Sequence, residues 1–330
     1  MTQTQRPRFD VVGLGALNMD YLYRVDLIVV DGETVIQESR QTPGGSAANT
    51  IYGLARLGLK TGFVGAVGDD ASGRTMIDDF AGLGTDTTPI KIKPGSPSGA
   101  VFGLTDAEAH RSLYILPGAN GRLVATDVSI TYFSRFRLLH VSSFVDAAQF
   151  QLSLEIVNNL ASDVMLSFSP GALYVKRGMD VLAPFLARTE VLFLNADELR
   201  QLTGLDLPGG TAACQAAGCH TVVVTLGAGR QLAGTERAQQ TAIAYVRDRA
   251  GQHVVSPCPM SGPVVDTTGA GDAFAAGFLY GLLNNRDTDV RGRLATIVAN
   301  FSMRAIGARA GLPTLAELSA RYRELYGEDL

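Results

Sequence analysis

The chain has 330 residues, 46% hydrophobic and 18% charged, which is enough apolar material for one large core. A net charge of -4 at pH 7 offers no basic field for a nucleic-acid backbone, and no apolar run reaches the roughly 18–20 residues of a membrane helix. The polar start (Met1 to Arg8) has no signal-peptide segment, and three cysteines make no disulfide framework, so a reducing, cytoplasmic setting is expected.

In chain order, residues 9–14 read as a buried strand running into Gly13 and Gly15. Residues 21–30 and 34–38 read as further strands that turn at Asp31-Gly32. Gly44-Gly45 breaks the chain. Ser46 is expected to cap a helix over 46–57 that Gly58 ends. A strand follows at 63–67 and a helix at 72–83. A second strand-rich stretch covers 90–116, where 100–106 and 111–116 suit a hairpin. Beyond it, strands at 138–141, 164–168, 191–194 and 221–226 alternate with helices at 149–160, 196–202 and 210–217. Helices at 270–283 and 291–306 close the series. Cys214, Cys219 and His220 lack the short spacing and fourth ligand of a zinc site and read as structural residues.

This alternation predicts one α/β domain over 1–330, with a mostly parallel sheet between helices and ligands at the carboxyl ends of its strands. The segments at about 20–40 and 90–116 fit that sheet poorly. They are expected to form a small β-lid, whose outer apolar face a homodimer would cover.

The strongest chemical signal is Asp266-Thr267-Thr268-Gly269-Ala270-Gly271-Asp272, which joins a strand to a helix. Gly269, Ala270 and Gly271 let a ligand approach the backbone at a helix N-terminus, where free amides favour an anion. Asp272 stands beside that site and can take the proton of an alcohol attacking a bound phosphate. The helix dipole is expected to keep it ionised and weakly basic. Ala273, Gly277 and Gly281 would let the same helix pack closely against a neighbour.

This run, followed by Ala273-Phe274, resembles the second signature of the ribokinase-like sugar kinases, also called the phosphofructokinase B family. Gly44-Gly45-Ser46-Ala47-Ala48-Asn49, with Gly53 and Gly58, resembles the first. The likeness extends from about Gly13 to Pro313. It implies a three-layer fold with a lid, ATP and Mg²⁺ as co-substrate and cofactor, and a sugar or ribonucleoside as partner. It also implies Asp272 as base and the glycine turn as an anion hole. Asn18, Asp20, Gly45 and Asn49 would then bind substrate. Asn195, Thr225, Gly227, Gly229 and Asn300 would lie along the nucleotide, with the turn at 307–313 beside the adenine. Glu198 would orient Mg²⁺ through water. The likeness also implies a possible K⁺ site, as in some relatives, between Asp266, Thr268 and the loop at 307–311.

Departures from the family pattern bear on the substrate. Ser46 stands where ribokinases usually carry Lys, and Ser142-Ser143 where they tend to carry a sugar-binding Glu. No cationic side chain falls inside the matched substrate motifs, which favours an unphosphorylated sugar or nucleoside over a sugar phosphate. A non-catalytic sugar-binding protein on the same fold would be expected to lose Asp272 or Glu198. A dinucleotide site at Gly13-x-Gly15 would need a third glycine where Asn18 stands.

Overall fold

The computed structural model describes residues 9–108, 110–233, 239–260 and 262–330. The Met1 to Arg8 tail, and Ala109 in the expected hairpin turn, lie outside the described residues. The strands are β1 (Phe9–Leu14), β2 (Asn18–Val25), β3 (Ile36–Gly44), β4 (Thr61–Gly68), β5 (Ile90–Lys93), β6 (Gly99–Thr105), β7 (Arg111–Leu116), β8 (Phe136–Ser142), β9 (Met165–Ser169), β10 (Thr189–Asn195), β11 (Thr221–Ala233), β12 (Gln239–Arg247) and β13 (Gln252–Val255). The helices are α1 (Ser46–Arg56), α2 (Ala71–Ala81), α3 (Ile130–Phe133), α4 (Ala147–Asn158), α5 (Gly171–Val175), α6 (Met179–Leu186), α7 (Ala196–Thr203), α8 (Leu207–Ala216), α9 (Ala270–Leu283), α10 (Thr288–Ser302) and α11 (Leu315–Tyr326).

Among the described residues, nine strands make the central sheet in the order β13-β12-β11-β10-β9-β8-β1-β4-β5. The pairs from β11 through β5 are parallel, and β12 and β13 add on antiparallel. Every residue of β4 (TGFVGAVG) is buried, as a strand covered on both faces requires. Val12, Leu14, Leu139 and Val141 point into the core shared with α4 and α6. Val11, Phe63 and Leu138 point into the opposite core, built with α1, α9 and α10. α9 carries a nearly continuous run of buried residues because it is wedged between its neighbours. A Cβ on Gly277 would stand 2.6 Å from the Ala295 Cα, and one on Gly53 2.9 Å from the Ala276 Cβ. The small residues therefore set how closely α9 meets α10 and α1.

A separate sheet, ordered β3-β2-β6-β7, forms the lid. Its boundaries differ from the sequence reading. β2 begins at Asn18 and ends at Val25, and β3 runs on to Gly44, so Asp31-Gly32 belongs to a long connection and not to a tight turn. Ile90–Lys93 pairs with β4 at the edge of the main sheet, so the lid's second segment starts at Gly99. Ser46 is the first residue of α1, and Gly45 occupies the cap position with φ 103°.

Candidate active site

The site forms where the carboxyl ends of β1, β8, β10 and β11 meet the N-termini of α1, α7 and α9. Asp272 stands in the first turn of α9. Its Oδ1 accepts a hydrogen bond from the Ser46 hydroxyl at 2.7 Å, and its Oδ2 accepts one from Asn49 Nδ2 at 2.9 Å. The Thr50 hydroxyl donates to its backbone carbonyl at 3.3 Å. Ser46 thus holds the carboxylate instead of capping α1. Burial pushes the Asp272 carboxyl up to about 6, while these hydrogen bonds and Arg309 pull it back and Glu198 adds repulsion. Burial thus makes Asp272 a stronger base than an ordinary carboxylate.

Gly269 adopts the left-handed conformation at the N-terminus of α9, where a Cβ would stand 2.4 Å from the Ala308 Cβ. The Ala270 N–H turns back to the Thr267 carbonyl at 3.2 Å, so it closes the turn and does not face outward. Gly271 is exposed, with none of the described residues within 4 Å of where a Cβ would point.

Of the residues expected to bind substrate, Asp20 is buried and lies against Gly44, whose added Cβ would stand 2.2 Å from Asp20 Oδ2. Burial raises its carboxyl to about 7 against the pull of Arg309, and Asp272 adds repulsion. Among the described residues its Oδ1 has no hydrogen-bond partner. Asn18 is held by Asn120, whose Nδ2 donates both to Asn18 Oδ1 and to the Leu17 carbonyl at 2.9 Å. Gly45 meets the Ala16 carbonyl so closely that a Cβ would stand 2.1 Å from it. Ser142 Oγ accepts from the Ala47 N–H at 3.0 Å, binding α1 to the end of β8. A carboxylate enters nearby through Asp146, which lines a cavity of about 10 Å³ with Asn18, Ile115, Asn120 and Phe144.

Of the residues expected along the nucleotide, Asn195 and Thr225 are neighbours in parallel register. Asn195 and Glu198 form a reciprocal cap. Asn195 Oδ1 accepts from the amides of Asp197 and Glu198, and Glu198 Oε2 accepts from the Asn195 N–H at 2.8 Å. Burial raises the Glu198 carboxyl; the Asn195 amide works against that shift and Asp197 adds to it. Gly227 and Gly229, both at positive φ, lie inside the long strand β11, where pairing with β12 slips between Thr225 and Arg230. The expected strand-end loop is therefore a bulge. Asn300, on α10, donates to the Cys258 carbonyl and Sγ and so holds the segment that leads into the glycine turn. Asp266 Oδ1 accepts from the Thr268 amide and hydroxyl at 2.9 and 2.8 Å, and its Oδ2 accepts from the Gly307 N–H at 2.8 Å. Burial lifts the Asp266 carboxyl, but these bonds outweigh it and hold the group below its ordinary value.

Sequence reasoning missed Arg309, Asn120 and Asp146, and it read Ser46 as a cap. Arg309 is the most consequential of these, because its buried guanidinium reaches Asn49, Asp79 and the Gly44 carbonyl.

The pfkB family carbohydrate kinase model matches residues 8–315. The chain belongs to the pfkB carbohydrate kinase family. A protein of Archaeoglobus fulgidus described as an uncharacterized sugar kinase is 32% identical to this kinase over 79% of the chain and 98% of its own length. The ribokinase of Haemophilus influenzae is 27% identical over 92% of the chain and 95% of its own length. Among solved structures, Arabidopsis thaliana ribokinase complexed with ribose and ATP superposes with a TM-score of 0.79 at 21% identity, covering 94% of this chain and 97% of that one. Burkholderia thailandensis nucleoside kinase in complex with inosine gives 0.79 at 21% identity, covering 97% and 98%. The sheet, the lid and the family place the kinase among phosphotransferases with an alcohol acceptor.

Proposed function

We propose that the kinase transfers the γ-phosphate of ATP to a primary hydroxyl of a small unphosphorylated sugar or ribonucleoside, with Asp272 receiving the hydroxyl proton. The carrying observation is the Asp272 carboxylate itself, fixed by Ser46 and Asn49 at the mouth of a glycine turn on a helix N-terminus. At pH 7 a group with a pKa of about 6 is mostly ionised, and it is basic enough to take a proton that leaves late in a loose phosphoryl transfer. Gly271 leaves room for the transferring phosphate, and the first-turn dipole of α9 favours its charge. Asp20 and Asn18, at the root of the lid, would hold the acceptor's other hydroxyls. Relatives and neighbours named for ribose, nucleosides and inosine support a sugar or ribonucleoside acceptor.

Glu198 suits Mg²⁺: it offers a hard oxygen, has Oε1 outside its cap, and lies near enough to Asp272 to repel it. Mg²⁺ would neutralise charge developing on the phosphates. Asp266, with the Thr268 hydroxyl, borders the place proposed for K⁺, and it already joins that loop to Gly307. A reducing cytoplasm, where ATP is abundant, suits the free thiols.

The test is a coupled ADP-release assay over ribose, other free sugars, ribonucleosides and sugar phosphates. Ribose-like or nucleoside substrates should give the highest kcat/KM, and a sugar phosphate as best substrate would overturn the reading. Run in potassium and tetramethylammonium chloride at equal ionic strength, the same assay reads the K⁺ site. A rate gain below about twofold counts against it.

A further inference from the structure

Arg309 lies in the loop after α10 and is 5% exposed. Its Nε–H donates to Asn49 Oδ1 at 3.0 Å, Nη1 to Asp79 Oδ2 at 2.6 Å, and Nη2 to the Gly44 carbonyl at 3.3 Å. The guanidinium carbon stands 5.0 Å from the Tyr52 ring centroid and 5.1 Å from that of Phe80. A buried cation is tolerated when paired and fully hydrogen-bonded, and Asp79 supplies the counter-charge here. One side chain thus joins the end of lid strand β3, helix α1 and helix α2.

The consequence falls on Asn49. A guanidinium has donors and no acceptor, so the amide must turn its oxygen toward Arg309. A carboxylate is acceptor-only, so the amide must turn its nitrogen toward Asp272. Both ends of the Asn49 side chain are therefore dictated, and its orientation fixes Oδ2 of the base. We propose that Arg309 is a positioning residue for phosphoryl transfer, aiming Asp272 by locking the Asn49 amide between guanidinium and carboxylate. The inference rests on reading Asp272 as the base.

Charge acts in the same direction. Asp272 faces Arg309, Glu198 and Asp20, while Arg309 faces Asp79, Tyr52 and Asp20. Without the cation, the anionic form of Asp272 loses support while Glu198 and Asp20 still oppose it. A residue that merely stapled the loop to α2 through Asp79 would affect stability and leave the base's titration alone.

The experiment measures kcat, KM and the pH profile of kcat/KM for Arg309→Met, Arg309→Lys, Asn49→Ala and Asp272→Asn. The double variants Arg309→Met/Asn49→Ala and Arg309→Met/Asp79→Asn complete the set. Arg309→Met should lower kcat by about tenfold or more, leave the KM for ATP within about twofold, and move the acid limb to higher pH. Arg309→Lys keeps the charge without the planar fork. It should restore the acid limb more than it restores kcat. If Arg309 acts on kcat through Asn49, then at a pH above both acid limbs the double variant with Asn49→Ala should be no slower than Asn49→Ala alone. Should Asp79, left unpaired, unfold the single variant, Arg309→Met/Asp79→Asn removes both charges and is read in its place. A folded variant with kcat within threefold of wild type and an unmoved acid limb overturns the proposal. So do additive losses in the Asn49 cycle. If Asp272→Asn is also fully active, the base assignment has failed; if it is inactive, the failure belongs to Arg309 alone.

Discussion

Asp272 and Asp20 share one physical condition, a carboxyl whose charged form burial disfavours. Their carboxyls are raised to about 6 and about 7, burial being the main cause in each. Asp272→Asn preserves shape and removes the proton acceptor, so kcat should fall by about 10²–10⁴-fold with ATP binding little changed, as single-turnover and nucleotide-binding measurements would show. In wild type, kcat/KM should be lost as pH falls through about 6. Stability has the opposite sign. Between the ordinary carboxylate value and about 6 the folded state binds more protons than the unfolded one, so wild type loses stability as pH rises through that window. Asp272→Asn should therefore melt higher than wild type at pH 8, with the gain shrinking toward pH 5. A melting difference that stays flat with pH would show that burial does not raise this group. At this scale the sequence displayed Asp272, Gly269 and Asp20 because each sits in a short contiguous motif. Arg309 was not legible, because its partners Asn49 and Asp79 are more than 200 residues away and a lone Arg in a Gly-rich loop carries no local pattern. Asp146 and Asn120 share that difficulty, since the fold alone brings them to Asn18.

Two glycines of one turn separate folding from chemistry at the scale of elements. Gly269 is at φ 74° with Ala308 against it, so Gly269→Ala should lower the melting temperature and activity together. Gly271 has ordinary φ and open space, and alanine there improves the helix by roughly 0.5–1 kcal/mol. Gly271→Ala should keep or raise the melting temperature while lowering kcat about tenfold or more, because its methyl enters the space assigned to the phosphate. Equal activity of Gly271→Ala and wild type would remove Gly271 from the site. Main-sheet strands were readable because double burial makes them continuous apolar runs, as in β4 and β8, whereas the strand expected just before the glycine turn is irregular chain at 262–267. The lid boundaries slipped because β3 is mostly exposed and polar, and its end is set by pairing with Asn18 to Val25 across a long connection. β12 and β13 went unread, since their antiparallel pairing extends a sheet whose period had so far been parallel. Helix α11 was within reach: Thr314 and Glu317 make a capping box just before its apolar stripe.

At the scale of the whole molecule, the lid exposes apolar surface. Register puts Asp20, Val101 and Ile115 on one face, and Ile115 lines the small cavity over Asn18, so this face looks onto the site. Phe102 and Tyr114, paired neighbours in the register, point the other way. On the edge strand β7, Leu113, Tyr114, Ile115 and Leu116 are 49%, 60%, 44% and 45% exposed. An edge strand carrying four large apolar side chains invites pairing with another chain, and no Pro or Lys in β7 blunts it. The homodimer expected through the lid would answer both demands: a second copy would cover the outward aromatics and pair the open edge. It would also tie closure over one substrate to the position of the other subunit's lid. Sedimentation equilibrium at micromolar concentration should give twice the 34.9 kDa of the chain. Tyr114→Lys, on the outward face, should shift the species toward monomer and raise the KM for the acceptor more than that for ATP, because a lone lid closes less firmly. A wild-type chain that sediments as a monomer at that concentration removes the dimer. If Tyr114→Lys remains dimeric, the contact lies elsewhere on the molecule.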